Sequence, residues 1–340
     1  MDDVGETRIA FITGASGFVG ANVVRALLTQ GWAVRVLVRG KAPSLAGLPL
    51  ERVAGDLFAP NLAGAMRNVD AVFHVAAHYS LWERDRDALL HVNVSGTRAV
   101  LDAARTAGVP RVVHTSSVAA IGVRPDGEPA DETYQSPPQR LVGAYKRSKY
   151  LAEAEARAAA ARGQDVVIVN PTTPLGPWDA KPTPTGEIVL RVLQRKMPAY
   201  VDTGLNVVDV RDVAAGHLAA YERGRSGERY ILGGENLPLH ELLRRLADVA
   251  GVPAPRLRLP HAVPLAYATL REHVLARAGI APDVSVQSVR MAKERMYYDA
   301  AKARRELGFA PGSIDAALRD AVAWFREHLL AAGSGSSTED

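Results

Sequence analysis

One run constrains this chain more than any other: Gly14-Ala-Ser-Gly17-Phe-Val-Gly20. It follows a short apolar segment ending at Thr13. It opens a helical pattern in which Val19, Val23, Ala26 and Leu27 share one face and Gly31 marks the end. A strand that turns on glycines directly into a helix fits few architectures. Gly14 permits the tight turn, Gly17 lets backbone N–H groups approach a dinucleotide pyrophosphate, and Gly20 lets the helix pack closely.

The rest of the chain continues the alternation. "AVRVLV" (33–38), "ERVAGDL" (51–57), "DAVFHVAA" (70–77), "RVVHTSS" (111–117) and "DVVIVNP" (165–171) read as strands. Helices are expected over about 86–107 and 143–162. This order predicts an α/β fold, a doubly wound parallel sheet whose β-branched strands are buried on both faces. After Asn170 the texture changes to a proline-rich crossing, with Pro171, Pro174, Pro177, Pro182 and Pro184. Residues 206–224 and 228–234 read as a helix and a strand that return to the sheet. The expected division is a dinucleotide-binding domain at 1–172, its sheet completed by about 205–234. A smaller, mostly helical substrate lobe takes 173–204 and 235–330, and 331–340 is a polar, disordered tail.

Composition closes off other classes. The chain has no cysteine, so thiol nucleophiles, disulfides and thiolate metal sites are excluded. Nine histidines are scattered without a metal-binding pattern, and no metal is expected. His74 and His78 straddle a strand end and read as a satisfied histidine and a loop histidine. The net charge of +4 is spread along the chain, so no nucleic-acid patch is expected. No apolar run reaches transmembrane length and the start "MDDVGETR" is no signal peptide, which predicts a cytoplasmic protein acting on a small-molecule substrate. Contact with a membrane surface stays open.

Tyr145 and Lys149 stand four apart in "GAYKRSKYLAE", on one face of the expected helix. A lysine cation beside a phenol favours the phenolate, so Lys149 is expected to lower the Tyr145 pKa. Tyr145 then serves as a general acid or base. Ser116 and Ser117 close the preceding strand, where a hydroxyl can orient a substrate oxygen toward the tyrosine.

In this order, "TGASGFVG", the Ser-Ser strand end and "YKRSK" resemble the extended short-chain dehydrogenase/reductases of the NAD-dependent epimerase/dehydratase superfamily. The resemblance covers about residues 8–330. "AYKRSK", "NPTTPLGP", "KPTPTG", "MPAYVDTGLN" and "RYILGGEN" are most similar to the hopanoid-associated sugar epimerase group, with dihydroflavonol 4-reductase-like proteins next. The resemblance implies a Rossmann fold and a catalytic set of Ser117, Tyr145 and Lys149, with Ser116 as the alternative serine. It also implies cofactor contacts from Gly14, Ser16, Gly17, Phe18, Val19, Gly20, Asp56, Leu57, Val75, Ala76 and Ala77. Asn93, Ser116, Tyr145, Lys149, Pro171, Thr172 and Thr173 complete that set. Asn93 is implied as structural or as a proton relay. A homodimer through the helices at 86–107 and 143–162 is implied too.

The second strand ends on Arg39, with Lys41 two residues on. An acidic residue there would bond the ribose 2′-hydroxyl and select NAD, whereas a guanidinium can fork onto a 2′-phosphate. NADP(H) is therefore the favoured cofactor, with NAD(H) as the alternative. Dehydratase relatives carry an Asp-Glu pair where this chain has Val118 and Ala119. Ketone reduction or alcohol oxidation on a bulky substrate, hopanoid- or sugar-related, is the favoured reaction, and sugar C4 epimerisation is the runner-up. Nucleotide-sugar epimerases tend to place a pyrophosphate-clamping arginine at the position of Leu205. Arg290 and Arg295 remain candidates for an anionic substrate, and Leu81, Trp82, Trp178, Tyr200 and Met291 for an apolar pocket or plain core. A third reading is a cofactor-binding protein without catalysis.

Overall fold

A computed structural model describes residues 7–277 and 285–330. The expected tail at 331–340 lies outside them. The β-branched runs become strands: β1 (Ile9–Thr13), β2 (Ala33–Val38), β3 (Glu51–Ala54), β4 (Ala71–His74), β5 (Arg111–Thr115) and β6 (Val166–Pro171). Shorter strands follow: β7 (Thr173–Leu175), β8 (Ala199–Val201), β9 (Gly204–Asp209), β10 (Arg229–Leu232), β11 (Glu235–Pro238), β12 (Leu257–Leu259) and β13 (Arg295–Met296).

Seven of these strands form one parallel sheet in the order β10-β6-β5-β4-β1-β2-β3. The order reverses between β1 and β4, where Ile12 lies between Val36 and Phe73. A crevice opens beyond the carboxyl ends of such strands, and in open α/β sheets ligands bind there. In the sheet-forming half the helices are α1 (Phe18–Thr29), α2 (Leu62–Ala65), α3 (Arg86–Leu90), α4 (Gly96–Thr106), α5 (Val118–Ile121) and α6 (Ala144–Ala161). The later ones are α7 (Pro184–Leu193), α8 (Val210–Arg223), α9 (Leu239–Ala250), α10 (Ala262–Arg277), α11 (Val286–Met291), α12 (Ala301–Leu307) and α13 (Ile314–Phe325).

The helix expected over 86–107 is one rod with a wide π turn at His91–Ser95 between α3 and α4. The segment expected to be helical over 206–224 differs from that reading. Its first residues belong to β9, which pairs with β7, β11 and β13 in a second sheet; only 210–223 is helix. Asp209 ends that strand and caps α8, its carboxylate accepting from the Arg211 N–H at 2.8 Å. Of residues 205–234, only β10 joins the central sheet.

Alternation along the strands supplies two cores. Ile12, Val36, Phe73, Val113 and Val169 face α1 and α8. Phe11, Val72, Val112, Val166 and Ile168 face α4 and α6. Burying each such side chain contributes about 1.5–3 kcal/mol, which is why the strands read as near-continuous apolar runs. A third cluster around Leu239, Leu243, Leu246, Leu318 and Phe325 holds α9 and α13 together over the second sheet.

Candidate active site

The glycine turn sits at the switch point. Gly14 has φ +74°, and a side chain there would lie 2.4 Å from the Ala76 nitrogen, so β4 closes directly over the turn. A side chain at Gly20 would meet the Gly14 carbonyl at 2.1 Å, so the close packing expected of Gly20 is against the turn itself. Gly17 precedes α1 and no side chain caps that helix, leaving its first N–H groups directed at the crevice. Ser16 and Gly17 are exposed, Phe18 and Val19 half-buried. Val75, Ala76 and Ala77 line the facing strand end, with the Val75 N–H donating to the Thr13 carbonyl at 3.1 Å. This open helix N-terminus, crowded behind and clear in front, fits a nicotinamide dinucleotide pyrophosphate.

Arg39 and Lys41 are both exposed beyond β2, and no ion pair among the described residues holds either. Asp56 is exposed, its carboxylate accepting from the Phe58 N–H at 2.9 Å. The Leu57 side chain is buried in the α4 core, which leaves only its backbone for a ligand. Pro171 ends β6, and Thr172 donates its N–H to the Leu232 carbonyl at 3.2 Å; Thr173 starts β7.

Beyond β5 the two serines take different directions. The Ser116 hydroxyl donates to Glu153 at 2.6 Å and is buried. The Ser117 hydroxyl accepts from the Ala119 N–H at 3.1 Å and lies near enough to the Tyr145 phenol to pull its pKa down. Tyr145 and Lys149 lie one turn apart on α6, as their spacing requires. Lys149 is 3 % exposed, and its ammonium donates to the Thr115 carbonyl at 2.9 Å.

This corrects the expected electrostatics. Burial raises the Tyr145 phenol, the Ser117 hydrogen bond pulls the other way, and the result is about 12. Lys149 is turned to the Thr115 carbonyl and does not bring the phenol down. Burial instead pushes Lys149 itself down to about 8, against the pull of Glu153. Desolvation of each group therefore outweighs their mutual influence.

Asn93 uses its whole amide on the protein. Its oxygen accepts from the His78 N–H at 2.7 Å, and its NH₂ donates to the His78 carbonyl at 3.0 Å and the Ser148 hydroxyl at 2.9 Å. It thereby ties the loop after β4 to α6. That loop carries Tyr79, whose ring packs edge-on against Tyr145 at 4.6 Å. His74 is held between the Thr13 and Thr97 hydroxyls at 2.7 and 3.0 Å. Trp178 lies away from this mouth, under the Arg25 guanidinium at 3.5 Å and beside Trp324.

Sequence reasoning missed the charged group beneath the site. Glu153 is 3 % exposed and accepts from Ser116, from Asn170 at 2.7 Å and from Arg229 at 3.0 Å. Burial pushes its carboxyl up, and Arg229, Ser116, Asn170 and Arg157 together outweigh that and hold it below the usual range. Arg229 also bonds the Glu132 and Tyr134 carbonyls and Gln135. One signal was available: Glu153 stands four residues after Lys149, on the same face as Tyr145. Nothing local marks Arg229.

A doubly wound parallel sheet, a glycine turn into an uncapped helix, and a serine–tyrosine–lysine constellation past β5 together define an extended short-chain dehydrogenase/reductase. The family model of the NAD-dependent epimerase/dehydratases matches residues 10–233, and the chain belongs to that family. It is 56 % identical to a Synechocystis sp. protein provisionally named dihydroflavonol 4-reductase, over 94 % of each chain. It is 39 % identical to sterol demethylase protein B of Methylococcus capsulatus, over 93 % of this chain and 98 % of that one. The crystal structure of a nucleoside-diphosphate-sugar epimerase from Pseudomonas aeruginosa superposes with a TM-score of 0.78 at 29 % identity, covering 95 % of this chain and 98 % of that one.

Proposed function

We propose that the protein is an NADP(H)-dependent reductase of a ketone carried on a bulky, lipophilic substrate. The observation that carries this reading is Leu205, which stands where a nucleotide-sugar epimerase tends to place its pyrophosphate-clamping arginine and is packed on an apolar core. The Tyr145 phenol, pushed up to about 12 by burial, is neutral and can donate the proton that ketone reduction consumes.

Bound at the glycine turn, the nicotinamide dinucleotide supplies hydride. The Ser117 hydroxyl orients the substrate carbonyl, Tyr145 gives its proton to the forming alkoxide, and charged Lys149 would hold the nicotinamide ribose. Arg39 and Lys41, exposed at the end of β2, would take the adenosine 2′-phosphate. Leu205, at the position of the expected pyrophosphate clamp, packs against the Leu239–Phe325 core, which favours an apolar substrate over a nucleotide sugar. The names of the two relatives support a reductase and a sterol-sized substrate. The epimerase name of the Pseudomonas protein keeps C4 epimerisation as the second reading.

The test offers the purified protein NADPH with cyclic and long-chain ketones, and separately UDP-sugars without reductant. Stoichiometric NADPH oxidation is the expected result. UDP-sugar interconversion with no net cofactor turnover would overturn the reading. The cofactor arm is tested by Arg39→Asp. A charge-assisted hydrogen bond contributes about 1.5–3 kcal/mol, so NADPH preference is expected to fall by roughly tenfold to over a hundredfold. An unchanged NADPH/NADH affinity ratio by titration calorimetry would remove Arg39 from the site.

A further inference from the structure

The exposed large apolar side chains of this molecule are not scattered. Of the eight among the described residues, five lie between 257 and 274: Leu257, Val263, Tyr267, Leu270 and Val274. Leu270 is 66 % exposed and Val274 56 %. The last four fall at i, i+4, i+7 and i+11 along α10, so they form a single stripe down its outer side. The inner side is apolar too, with Ala268 fully buried and Leu265 half-buried. A helix apolar on both sides and covered on only one among the described residues has an unmet partner.

The surroundings of the stripe are basic. Arg256 and Arg258 are exposed on the approach to and within β12, and Arg271 lies over the Tyr267 ring. The one acidic residue between 252 and 272 is Glu272, and its carboxylate accepts from the Val286 N–H at 3.2 Å. Asp202 pairs with Arg258 at 2.7 Å. An apolar stripe flanked by arginines is complementary to the boundary between acyl chains and anionic headgroups.

The helix that carries the stripe connects to the chemistry through its neighbour. The inner side of α10 packs on α11, and Gln287 of α11 donates to the Val142 carbonyl at 3.4 Å. Val142 is three residues before Tyr145. The exposed face of Tyr79, packed on Tyr145, adds an apolar wall at the same mouth.

We propose that the outer face of α10, with Leu257 and its neighbouring arginines, docks the protein reversibly on an anionic lipid bilayer, with Leu270 and Val274 seated among the acyl chains. A lipophilic ketone dissolved in that bilayer then reaches Tyr145 without crossing bulk water. The docking stands on the surface alone; its use for substrate capture rests on the reductase reading. Binding and turnover are therefore measured separately.

The full chain is sedimented with vesicles of phosphatidylcholine alone and of phosphatidylcholine with phosphatidylglycerol. Binding is expected on the anionic vesicles and is weakened by salt. The double variant Leu270→Glu/Val274→Glu is expected to bind at least about tenfold more weakly, while its reduction of a short, water-soluble ketone and its circular dichroism stay unchanged. Absence of binding to either vesicle overturns the proposal, as does wild-type binding by the double variant. A wild-type dimer that the double variant converts to monomer, with no vesicle binding, would assign the face to a second copy of the chain and overturn the proposal as well. Vesicle binding without activity on any ketone would keep the docking and reject the reductase.

Discussion

The two faces of the central sheet come from the same strands and the same alternation, yet they end differently. Toward α1 and α8 the strands stay apolar almost to their tips, through Ile12, Phe73, Val113 and Val169. Thr115, bonded to His217 at 2.9 Å, is the exception. Toward α4 and α6 the last residues turn polar: Thr13, His74, His114, Ser116 and Asn170. Behind them lie Asn93, Thr97, Glu153 and Arg229. The first face gives a rigid backing at little electrostatic cost. The second buries charge directly beneath the candidate chemistry, and such groups are tolerated only when paired. His114 shows the cost of that arrangement, since neither ring nitrogen has a partner among the described residues. Site and stability are thus coupled on one face and separable on the other.

The largest effect that would test this contrast is chemical. Tyr145→Phe removes the proton donor and keeps the ring against Tyr79. Turnover is expected to fall by about 10²–10⁴-fold, with melting temperature and cofactor affinity near wild type. Near-normal turnover would detach the polar face from the chemistry. In the wild type, the reduction rate at subsaturating cofactor is expected to decline as pH rises through about 8, because Lys149 loses its charge there and with it part of its hold on the cofactor ribose.

Next comes the pair beneath it. Glu153→Ala leaves Arg229 buried without its carboxylate and is expected to destabilise by about 3–5 kcal/mol in urea unfolding. The same face should govern much of the acid stability. His74 is pushed down to about 3 by burial, and His114 is pushed well below its usual value. Unfolded histidines take up protons near pH 6.5, and these folded ones do not. Their contribution is complete above that pH and is lost as pH falls toward about 3. Glu153, held low, adds a loss that begins below the ordinary glutamate value and completes as pH falls through its lowered one. With two such histidines the slope reaches about 3 kcal/mol per pH unit, and urea midpoints at pH 7 and pH 5 would measure it.

The smallest effect belongs to the apolar face. Ile12→Val trims one methylene from a fully buried position. It is expected to cost about 0.5–1.5 kcal/mol and to leave turnover and its pH dependence unchanged. A change in the pH profile would show that the two faces are not separable.

The sequence by itself determined what depends on near neighbours. Glycines at 14 and 20 between strand and helix set the turn, because a backbone at positive φ or in close contact excludes a side chain. β-branched runs set the parallel strands. A spacing of four placed Tyr145 and Lys149 on one face of α6, because 3.6 residues make a turn. Only the tertiary structure decided what depends on distant neighbours and on water. Arg229 meets Glu153 across 76 residues, and no local pattern foretells that. That the Ser116 hydroxyl goes to Glu153 likewise depends on a residue 37 positions away. The strand at 204–209 was hidden because "NVVDV" reads equally as the start of the following helix, and only pairing with β7, β11 and β13 makes it a strand. The direction of the Tyr145 shift also came late. Spacing puts a lysine near a phenol, but packing decides how much water each one loses, and here desolvation is the larger energy.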